Sequence, residues 1–416
     1  MPSQTSLAFI FGGWSLTDQH PAPDAENPRT AQEASVPPDA VPAPRPTAQS
    51  ALTLSPGAAA LVKRAFADID GRAVIDSHVH IIGLGTGESG AYANPKLLTW
   101  KHPASHVKAS IILKSTGVTG LAQADEQYVQ QLLAWAGEFP APLVLAALAF
   151  DYHYTKDGAV DLGKTEFYVP DEYILRLARR YPGRLIPVVS IHPYAPNALK
   201  RLEQCAQAGA RLVKWLPNAQ GMDPADPAID PFYQAMERHH MALLCHTGWE
   251  MSVNSDGQRL GNPLRLRRPL DLGVAVIMAH VGNTGANDDL DNPGKRVSNF
   301  ALALRMLDDP KYRDRLYSDI AMIVGTTRNT HDIKVLLERT DLHPRLINGS
   351  DYPLPAVDVA VSPILLQLAG LITNEERRHL AEIRRQNPLL FDFVLKRALK
   401  DPKTGVRFPA SMFTLP

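Results

Sequence analysis

Two histidines separated by one residue stand at the end of an apolar run, in the segment Asp76-Ser77-His78-Val79-His80. If the run is a strand, residues two apart lie on one face, about 6–7 Å apart along it. Neutral imidazoles at that spacing can bind one metal ion through their ring nitrogens. Taken alone, a His-x-His motif is better explained by two buried histidines that hydrogen-bond to their neighbours, so a metal site requires support from the rest of the chain.

Further apolar runs also end in a single ionisable group, usually close to a glycine. The groups are Lys214, His246, His280 and Asp351. A charge buried at a strand end is costly unless it is paired or bound to a metal. Because the pattern recurs along the chain after the first histidine pair, packing alone does not explain it. We therefore expect these side chains to share one site.

The apolar runs alternate with helix-length segments, and several lack polar residues at alternate positions, as is typical of parallel strands buried on both faces. The predicted strands are residues 73–77, 143–150, 185–190, 210–215, 242–245, 274–279, 316–320 and 345–348. Alternating strands and helices predict an α/β fold. Eight repeats favour a closed (β/α)8 TIM barrel, with C-terminal helices, over an open doubly wound sheet. Such barrels carry their chemistry at the carboxyl ends of the strands.

Helix starts are indicated where a short polar residue precedes a proline. Asp230-Pro231 and Asn262-Pro263 each predict a capping side chain before a proline in the first turn. Gly273 is predicted to close the second of these helices.

The composition of the 416 residues limits the partners. Acidic and basic residues number 43 each, so no electrostatic attraction to nucleic acid or to an anionic membrane is expected. No apolar run is long enough to span a bilayer. Cys205 and Cys245 form neither a disulfide framework nor a CxxC site, which favours a reducing, cytoplasmic location. A small molecule is the expected partner, and a homo-oligomer is left open.

Residues 1–55 are predicted to be a disordered tail, and residues 56–416 to form the barrel domain. The tail is rich in Pro and Ala and has few large apolar residues, so burial cannot offset its chain entropy. Removing residues 1–50 is therefore expected to leave the melting temperature and turnover nearly unchanged. The apolar stretch Leu7–Phe11 lacks a basic flank, so a degraded signal peptide is the weaker interpretation.

Five motifs in chain order resemble the amidohydrolase superfamily, most closely the amidohydrolase-related branch of metal-dependent hydrolases and decarboxylases. They are IDSHVH, VKWLP, CHTG, AHVG and NGSDYP, and the resemblance extends from about Arg72 to Leu390. In combination these motifs are specific for the superfamily but not for a substrate.

The resemblance implies a ligand set for one divalent ion: His78, His80, His246 and Asp351. Asp351 would also shuttle a proton, and His280 would be an acid–base group or a ligand of a second ion. Lys214 has three interpretations: a carbamylated bridge between two ions, an uncarbamylated site residue, or a lysine extending to the rim. Zinc suits imidazoles with a carboxylate, as do manganese and iron. One ion is preferred over two.

The preferred function is hydrolysis of an ester, lactone or amide, in which metal-bound hydroxide attacks the carbonyl. The runner-up is non-oxidative decarboxylation of a small carboxylic acid at the same site. The third interpretation, a non-catalytic binding barrel stabilised by metal, is disfavoured because every strand-end ligand is present.

Other polar groups near strand ends are candidates for substrate contact, with a structural hydrogen bond as the alternative for each. They are Asp151, His153, His192 and Asp319. Arg259, Arg265, Arg267 and Arg268 are predicted either to clamp a substrate carboxylate or to form a solvated basic face. The loops 83–94 and 248–261 are expected to be lids or specificity elements. The pair His239–His240 is expected to have no metal role.

Overall fold

The eight apolar runs of the sequence form the eight strands of one parallel sheet. In the computed structural model, residues 10–11, 52–69, 71–255, 257–282 and 284–415 are described. The sheet follows the order of the chain: β1 (Val74–His80), β2 (Leu143–Leu148), β3 (Leu185–Val189), β4 (Leu212–Trp215), β5 (Ala242–His246), β6 (Val276–Ala279), β7 (Leu316–Asp319) and β8 (Leu346–Ile347). The predicted α/β barrel with eight strands is confirmed.

The first and last strands are joined by backbone hydrogen bonds, which bring the two edges of the sheet together. Ser77 donates to the carbonyl of Asn348 at 3.0 Å, and Asp351 donates to the carbonyl of His78 at 2.8 Å. Near the opposite end, the backbone NH of Ile75 donates to the carbonyl of Phe413, in the C-terminal segment. The barrel is therefore nearly closed, and β1 and β8 are held in register just where their polar residues begin.

Alternation along the strands divides the apolar residues into two cores. One core fills the barrel and includes Ile75, Leu212, Leu244 and Tyr317. The larger core lies between the sheet and the surrounding helices. Because side chains alternate in a strand, the residues two positions after the barrel-filling ones continue the same inner face towards the mouth.

Helices surround the barrel and continue after β8. The α-helices are α1 (Pro56–Ala65), α2 (Pro103–Ser115), α3 (Ala124–Gly137), α4 (Asp171–Arg180), α5 (Ala198–Gln207), α6 (Pro217–Gln220), α7 (Asp230–Arg238), α8 (Arg267–Asp271), α9 (Asn299–Asp308), α10 (Thr330–Glu338), α11 (Pro363–Leu368), α12 (Asn374–Gln386) and α13 (Pro388–Ala398). Two short antiparallel ribbons pair Tyr92–Ala93 with Phe167–Tyr168, and Ala286–Asp288 with Arg296–Ser298. None of the helices in the described ranges combines the length and apolar character needed to cross a bilayer.

The capping predictions have mixed outcomes. Asn262 caps the short 3-10 helix Pro263–Leu266 by accepting a hydrogen bond from the NH of Leu264, as its position before a proline predicts. The Asp230 prediction is wrong, because Asp230 is already the first residue of α7 and its carboxylate binds Arg268. Asp226, which also precedes a proline, caps the turn before α7.

The expectation for the N-terminal tail largely falls on residues outside the described ranges, but Ile10 and Phe11 are described. Both are buried, and both belong to the core that fills the barrel. Ile10 also lines a small cavity at the amino ends of β5 and β6. From Leu52 onward the chain packs on the domain, and Ser55 both caps α1 and binds Glu382. The expectation that residues 1–55 lack packing therefore does not hold for these positions.

We expect Phe11→Ala to lower the melting temperature by several degrees, because phenylalanine-to-alanine changes in cores cost about 3–5 kcal/mol. Thermal unfolding checks this, with Leu199→Ala as the control because Leu199 is an exposed apolar residue. If removal of residues 1–50 left the melting temperature unchanged, the contacts of Ile10 and Phe11 would contribute nothing to stability.

Candidate active site

A polar layer lies directly above the apolar filling of the barrel. Lys214, His246 and Asp319 each stand two residues after a barrel-filling side chain, so strand alternation directs all three inward at the carboxyl end. All three are buried. The same regularity that builds the core thus delivers three ionisable groups to one level of the barrel.

The first strand reaches this layer through an irregularity. The register of β1 against β2 shifts between Asp76 and Val79. The Asp76 carboxylate spans the shift by accepting hydrogen bonds from the NH of His78 and the NH of Ser350. Burial raises the pKa of Asp76 to about 7, although the hydrogen bonds from Ser350 lower it. Asp76 therefore ties the strand that carries His78 to the loop that carries Asp351.

Three of the predicted ligands converge on one point. The Nε2 atoms of His78 and His80 are 3.3 Å apart. One carboxylate oxygen of Asp351, Oδ1, is 3.4 Å from the first and 3.3 Å from the second. These ligand atoms all lie within 4.8 Å of one another. The structure thus assembles a compact set of two imidazoles and a carboxylate.

The hydrogen bonds of His78 define which of its ring nitrogens is available. Nδ1 lies 2.8 Å from Oδ2 of Asp319, and an ionised carboxylate only accepts, so Nδ1 carries the proton. The lone pair then lies on Nε2, which points at His80 and Asp351. A second candidate metal group, His78 with His280 and Asp319, is also compact. Since Asp319 already binds Nδ1, its role as a support for a histidine ligand fits better than a role as a ligand.

Lys214 lies inside the site. Its side chain is about 1% exposed, and its Nζ is 3.0 Å from Nε2 of His78. Burial lowers the pKa of Lys214, which favours the neutral amine. The interpretation of Lys214 as a lysine extending to the rim therefore fails, and the other two remain.

His246 approaches from β5 on the far side of the layer. Its ring centroid is 5.0 Å from that of His280, and its Nδ1 is 3.6 Å from Oε2 of Glu250. Its Nε2 is buried and has no hydrogen-bond partner among the described residues. His246 is outside the compact group of His78, His80 and Asp351. The structure thus places it in the same polar layer but not within the tightest cluster.

His280 follows β6 in a turn with left-handed backbone. Its Nδ1 is 3.1 Å from the carbonyl of Ala321, which can only accept, so Nδ1 carries the proton and Nε2 the lone pair. The ring lies 4.9 Å from that of His78, centroid to centroid. Burial lowers the pKa of His280 to about 4. This histidine is therefore a neutral acceptor next to the cluster at neutral pH.

Asp351 has its own structural support. Its φ is +61°, a conformation uncommon for residues other than glycine. Lys396 of α13 is fully buried, donates to the carbonyl of Gly349 and pairs with Asp392 at 2.6 Å. Burial raises the pKa of the Asp351 carboxyl, whereas any positive charge on His78 and His280, and the hydrogen bond from His80, lower it, and the net pKa lies well below 3.8. Asp351 is thus an ionised carboxylate.

The donor set fits a divalent cation. Burial lowers the pKa of His78, His80 and His246, so all three imidazoles are neutral and offer lone pairs. The unpartnered Nε2 of His246 and the facing Nε2 atoms of His78 and His80 are expected of nitrogens that coordinate an ion. One ionised carboxylate completes a mixed nitrogen and oxygen set, which suits zinc, manganese or iron.

Several candidates for substrate contact prove to be structurally engaged. Asp151 is paired with Arg201 at 2.8 Å. His192 uses both ring nitrogens, one on the carbonyl of Gln220 and the other on the NH of Tyr194. His153 is buried, and its ring packs against Gly221. Asp319 binds His78. For Asp151, His192 and Asp319 the structural interpretation is therefore favoured.

Three of the four arginines near the second loop are also engaged in ion pairs, which disfavours these three as a carboxylate clamp. Arg265 pairs with Asp223, Arg267 with Asp291, and Arg268 with Asp230. Arg259 is exposed. His239 and His240 lie at the end of α7, away from the polar layer.

The loop of residues 83–94 is fixed to the barrel by hydrogen bonds to Asp125, which disfavours a role as a mobile lid. The Asp125 carboxylate accepts hydrogen bonds from the backbone of Leu84, Gly85 and Thr86 and from the hydroxyl of Ser89. In the second loop, Glu250 accepts from the NH groups of Ser252 and Val253. Burial raises the pKa of Glu250 to about 7.

Sequence reasoning missed two buried charged residues at the mouth. Glu250 follows the CHTG motif by two residues, so its position was a signal that could have been used. Arg328 lies in the loop after β7, donates to the carbonyl of His280 and is about 8% exposed. No local pattern distinguishes it from a surface arginine.

The sequence comparison agrees with this geometry. A family model described as amidohydrolase matches residues 75–381. The chain belongs to the amidohydrolase family, a family of metal-dependent enzymes. No curated protein matches the chain at a significant level.

Solved structures with a similar fold include both hydrolases and decarboxylases. A probable 2-pyrone-4,6-dicarboxylic acid hydrolase from Acinetobacter baumannii, with citric acid bound, is 14% identical, covering 80% of this chain and 98% of its own at a TM-score of 0.39. The 5-carboxyvanillate decarboxylase from Sphingomonas paucimobilis is 10% identical to this chain. The match covers 78% of this chain and 96% of the decarboxylase, with a TM-score of 0.40. IDCase from Metarhizium anisopliae, in its apo form, is 14% identical to this chain. The match covers 78% of this chain and 97% of IDCase, with a TM-score of 0.41. At these identities and TM-scores the substrates of those proteins do not carry over to this chain.

Proposed function

We propose that the chain is a metal-dependent hydrolase that acts on the ester, lactone or amide carbonyl of a small molecule. The observation that carries the proposal is the meeting of His78 Nε2, His80 Nε2 and Asp351 Oδ1 within 3.4 Å at the mouth of the barrel. A divalent ion held there would activate a water molecule and polarise a carbonyl oxygen. Zinc is our first choice, manganese and iron are the alternatives, and one ion per subunit is preferred.

The remaining roles follow from the protonation states of the side chains. His78, His80, His246 and Asp351 hold the ion. Asp351 is ionised, so it can accept the proton of the attacking water. His280 is neutral with the lone pair on Nε2, so it can accept a proton from the substrate or the attacking water, and the proton that Asp351 accepts can pass to the leaving group.

The role of Lys214 depends on the number of ions. We favour an uncarbamylated amine that binds the substrate or Asp351, because one compact ligand group already contains a carboxylate and two imidazoles. In the alternative, Lys214 is carbamylated and holds a second ion together with His280. The wild type would then contain two ions, and replacement of either residue would reduce the count to about one.

The test combines metal analysis with a panel of defined probes. Metal per subunit is measured in the purified protein before and after chelation. Turnover is measured with dihydrocoumarin as the lactone, p-nitrophenyl acetate as the ester, p-nitroacetanilide as the amide, and 2- and 4-hydroxybenzoate as aromatic carboxylates. We expect about one ion per subunit and turnover of at least one carbonyl probe that chelation abolishes. Release of carbon dioxide from the benzoates alone would instead support decarboxylation.

The proposed location and partner of the enzyme rest on its cysteines and its balance of charge. Both cysteines, Cys205 and Cys245, are unpaired and buried, which supports a reducing, cytoplasmic location. The balanced charge supports a small molecule as the partner, with no role for nucleic acid.

A further inference from the structure

The turn that carries His280 is held in an unfavourable backbone conformation. Three consecutive residues have left-handed φ values: His280 at +67°, Val281 at +47° and Gly282 at +82°. A β-branched residue such as Val281 rarely adopts this region. Such backbone persists only where the surrounding structure over-determines it, and it concentrates at functional sites. Contacts from the surrounding elements must therefore hold this turn.

Side chains from neighbouring elements bind the backbone of this turn at every residue. The NH of His280 donates to Asp319, the NH of Val281 to the hydroxyl of Ser318 at 3.2 Å, and the NH of Gly282 to the hydroxyl of Thr247 at 3.1 Å. The carbonyl of His280 accepts from Arg328.

The two hydroxyls bind β6 as well as the turn. Ser318 donates to the carbonyl of Met278 at 2.5 Å, and Thr247 donates to the carbonyl of Ala279 at 2.7 Å. Each hydroxyl thus accepts from the turn and donates to the last residues of the strand before it. The pair fixes the angle at which the chain leaves β6.

We propose that Thr247, Ser318 and Arg328 are positioning residues that act through His280. They hold the strained turn so that Nδ1–H of His280 reaches the carbonyl of Ala321 and Nε2 faces the reacting groups. This inference rests on the proposed proton-transfer role of His280. Asp319 is excluded from the set because it also binds His78.

The burial of Arg328 supports a positional role. Its Nε and Nη1 atoms are buried and have no hydrogen-bond partner among the described residues. A guanidinium in that condition is costly to keep in place. Among the described residues its side chain makes one hydrogen bond, to the carbonyl of His280, so the structure retains a costly cation where it holds this turn.

The first experiment observes His280 without a substrate. In protein labelled with ¹⁵N-histidine and loaded with zinc, the signals absent from His280→Ala identify the ring nitrogens of His280. In the wild type we expect the tautomer with the proton on Nδ1. Thr247→Val, Ser318→Ala and Arg328→Met should move these signals towards a mixture of tautomers, and Thr247→Ser should restore them.

The second experiment measures turnover of the most active carbonyl probe, with each variant made alone and with His280→Ala. Alone, each should lower kcat about tenfold with little change in KM or zinc content, because small displacements of a reacting group cost this much or more. In the His280→Ala background the same changes should have no further effect. A matched control is Arg345→Met, since Arg345 also donates to a backbone carbonyl and has a buried, unpartnered Nη1, but lies at the amino end of β8.

Two outcomes would show that the positioning role is wrong, and both can be distinguished from failure of the proposed function. The positioning role is wrong if the variants keep the wild-type signals and kcat, or if their losses persist undiminished without His280. If His280→Ala itself retains full turnover, the proton-transfer role fails and the positioning role fails with it. Arg345→Met should match the wild type in both experiments.

Discussion

The variant His78→Ala/His80→Ala should contain almost no divalent ion and have no measurable turnover, while the barrel still folds. The two residues supply two of the three atoms that meet within 3.4 Å. The proposed ligands lie in the layer above the apolar core, so the packing of strands against helices stays intact. The single variant His246→Ala should also lose the ion, because the buried Nε2 of His246 is proposed as the third nitrogen ligand of the ion, after those of His78 and His80.

The loss of His78 and His80 should lower the stability of the fold more than the loss of His246. In the variant lacking His78, Oδ2 of Asp319 loses its partner, and a buried carboxylate without one costs stability. We therefore expect a lower melting temperature for that variant than for His246→Ala. Metal analysis and thermal unfolding are measured together, with His239→Ala as the control. Full metal stoichiometry in His78→Ala/His80→Ala would contradict the assignment of the site.

The fold and much of the site were predictable because strand periodicity is local. Parallel strands buried on both faces give uninterrupted apolar runs, and all eight were found with ends shifted by a few residues. The inward direction of Lys214 and His246 follows from the same alternation, since each stands two residues after a barrel-filling leucine. Their nearness to His78 follows from barrel closure, which brings the strand ends to one mouth.

The remaining features depend on contacts between distant parts of the chain. The arginines of the second loop suggested a clamp, yet Arg265 binds Asp223, 42 residues away in the sequence. Arg328 meets His280 across 48 residues. The burial of Phe11 in the barrel likewise depends on residues far along the chain, and no local pattern in the sequence predicts it. Such pairings are settled by packing, so composition and spacing predict residue types near the mouth but not their partners.

Asp351→Asn separates proton transfer from ion binding. The substitution keeps the shape and one oxygen that can coordinate, but it removes the base. We expect at least part of the ion to remain and turnover to fall by about 10²–10⁴, the usual contribution of general acid–base catalysis. His280→Ala should also lower turnover strongly, and with one ion per subunit its metal content should equal that of the wild type.

The pH profile of the wild type adds an independent check. The pKa of Asp351 is held well below 3.8 and that of His280 at about 4, so neither group changes charge between pH 5 and pH 8. Both therefore lose their catalytic form only under more acidic conditions. A fall in kcat/KM below about pH 6–7 would instead report protonation of the water that the ion activates. Constant activity down to pH 5, together with an active Asp351→Asn protein, would exclude this mechanism, because neither the base nor the activated water would then be required.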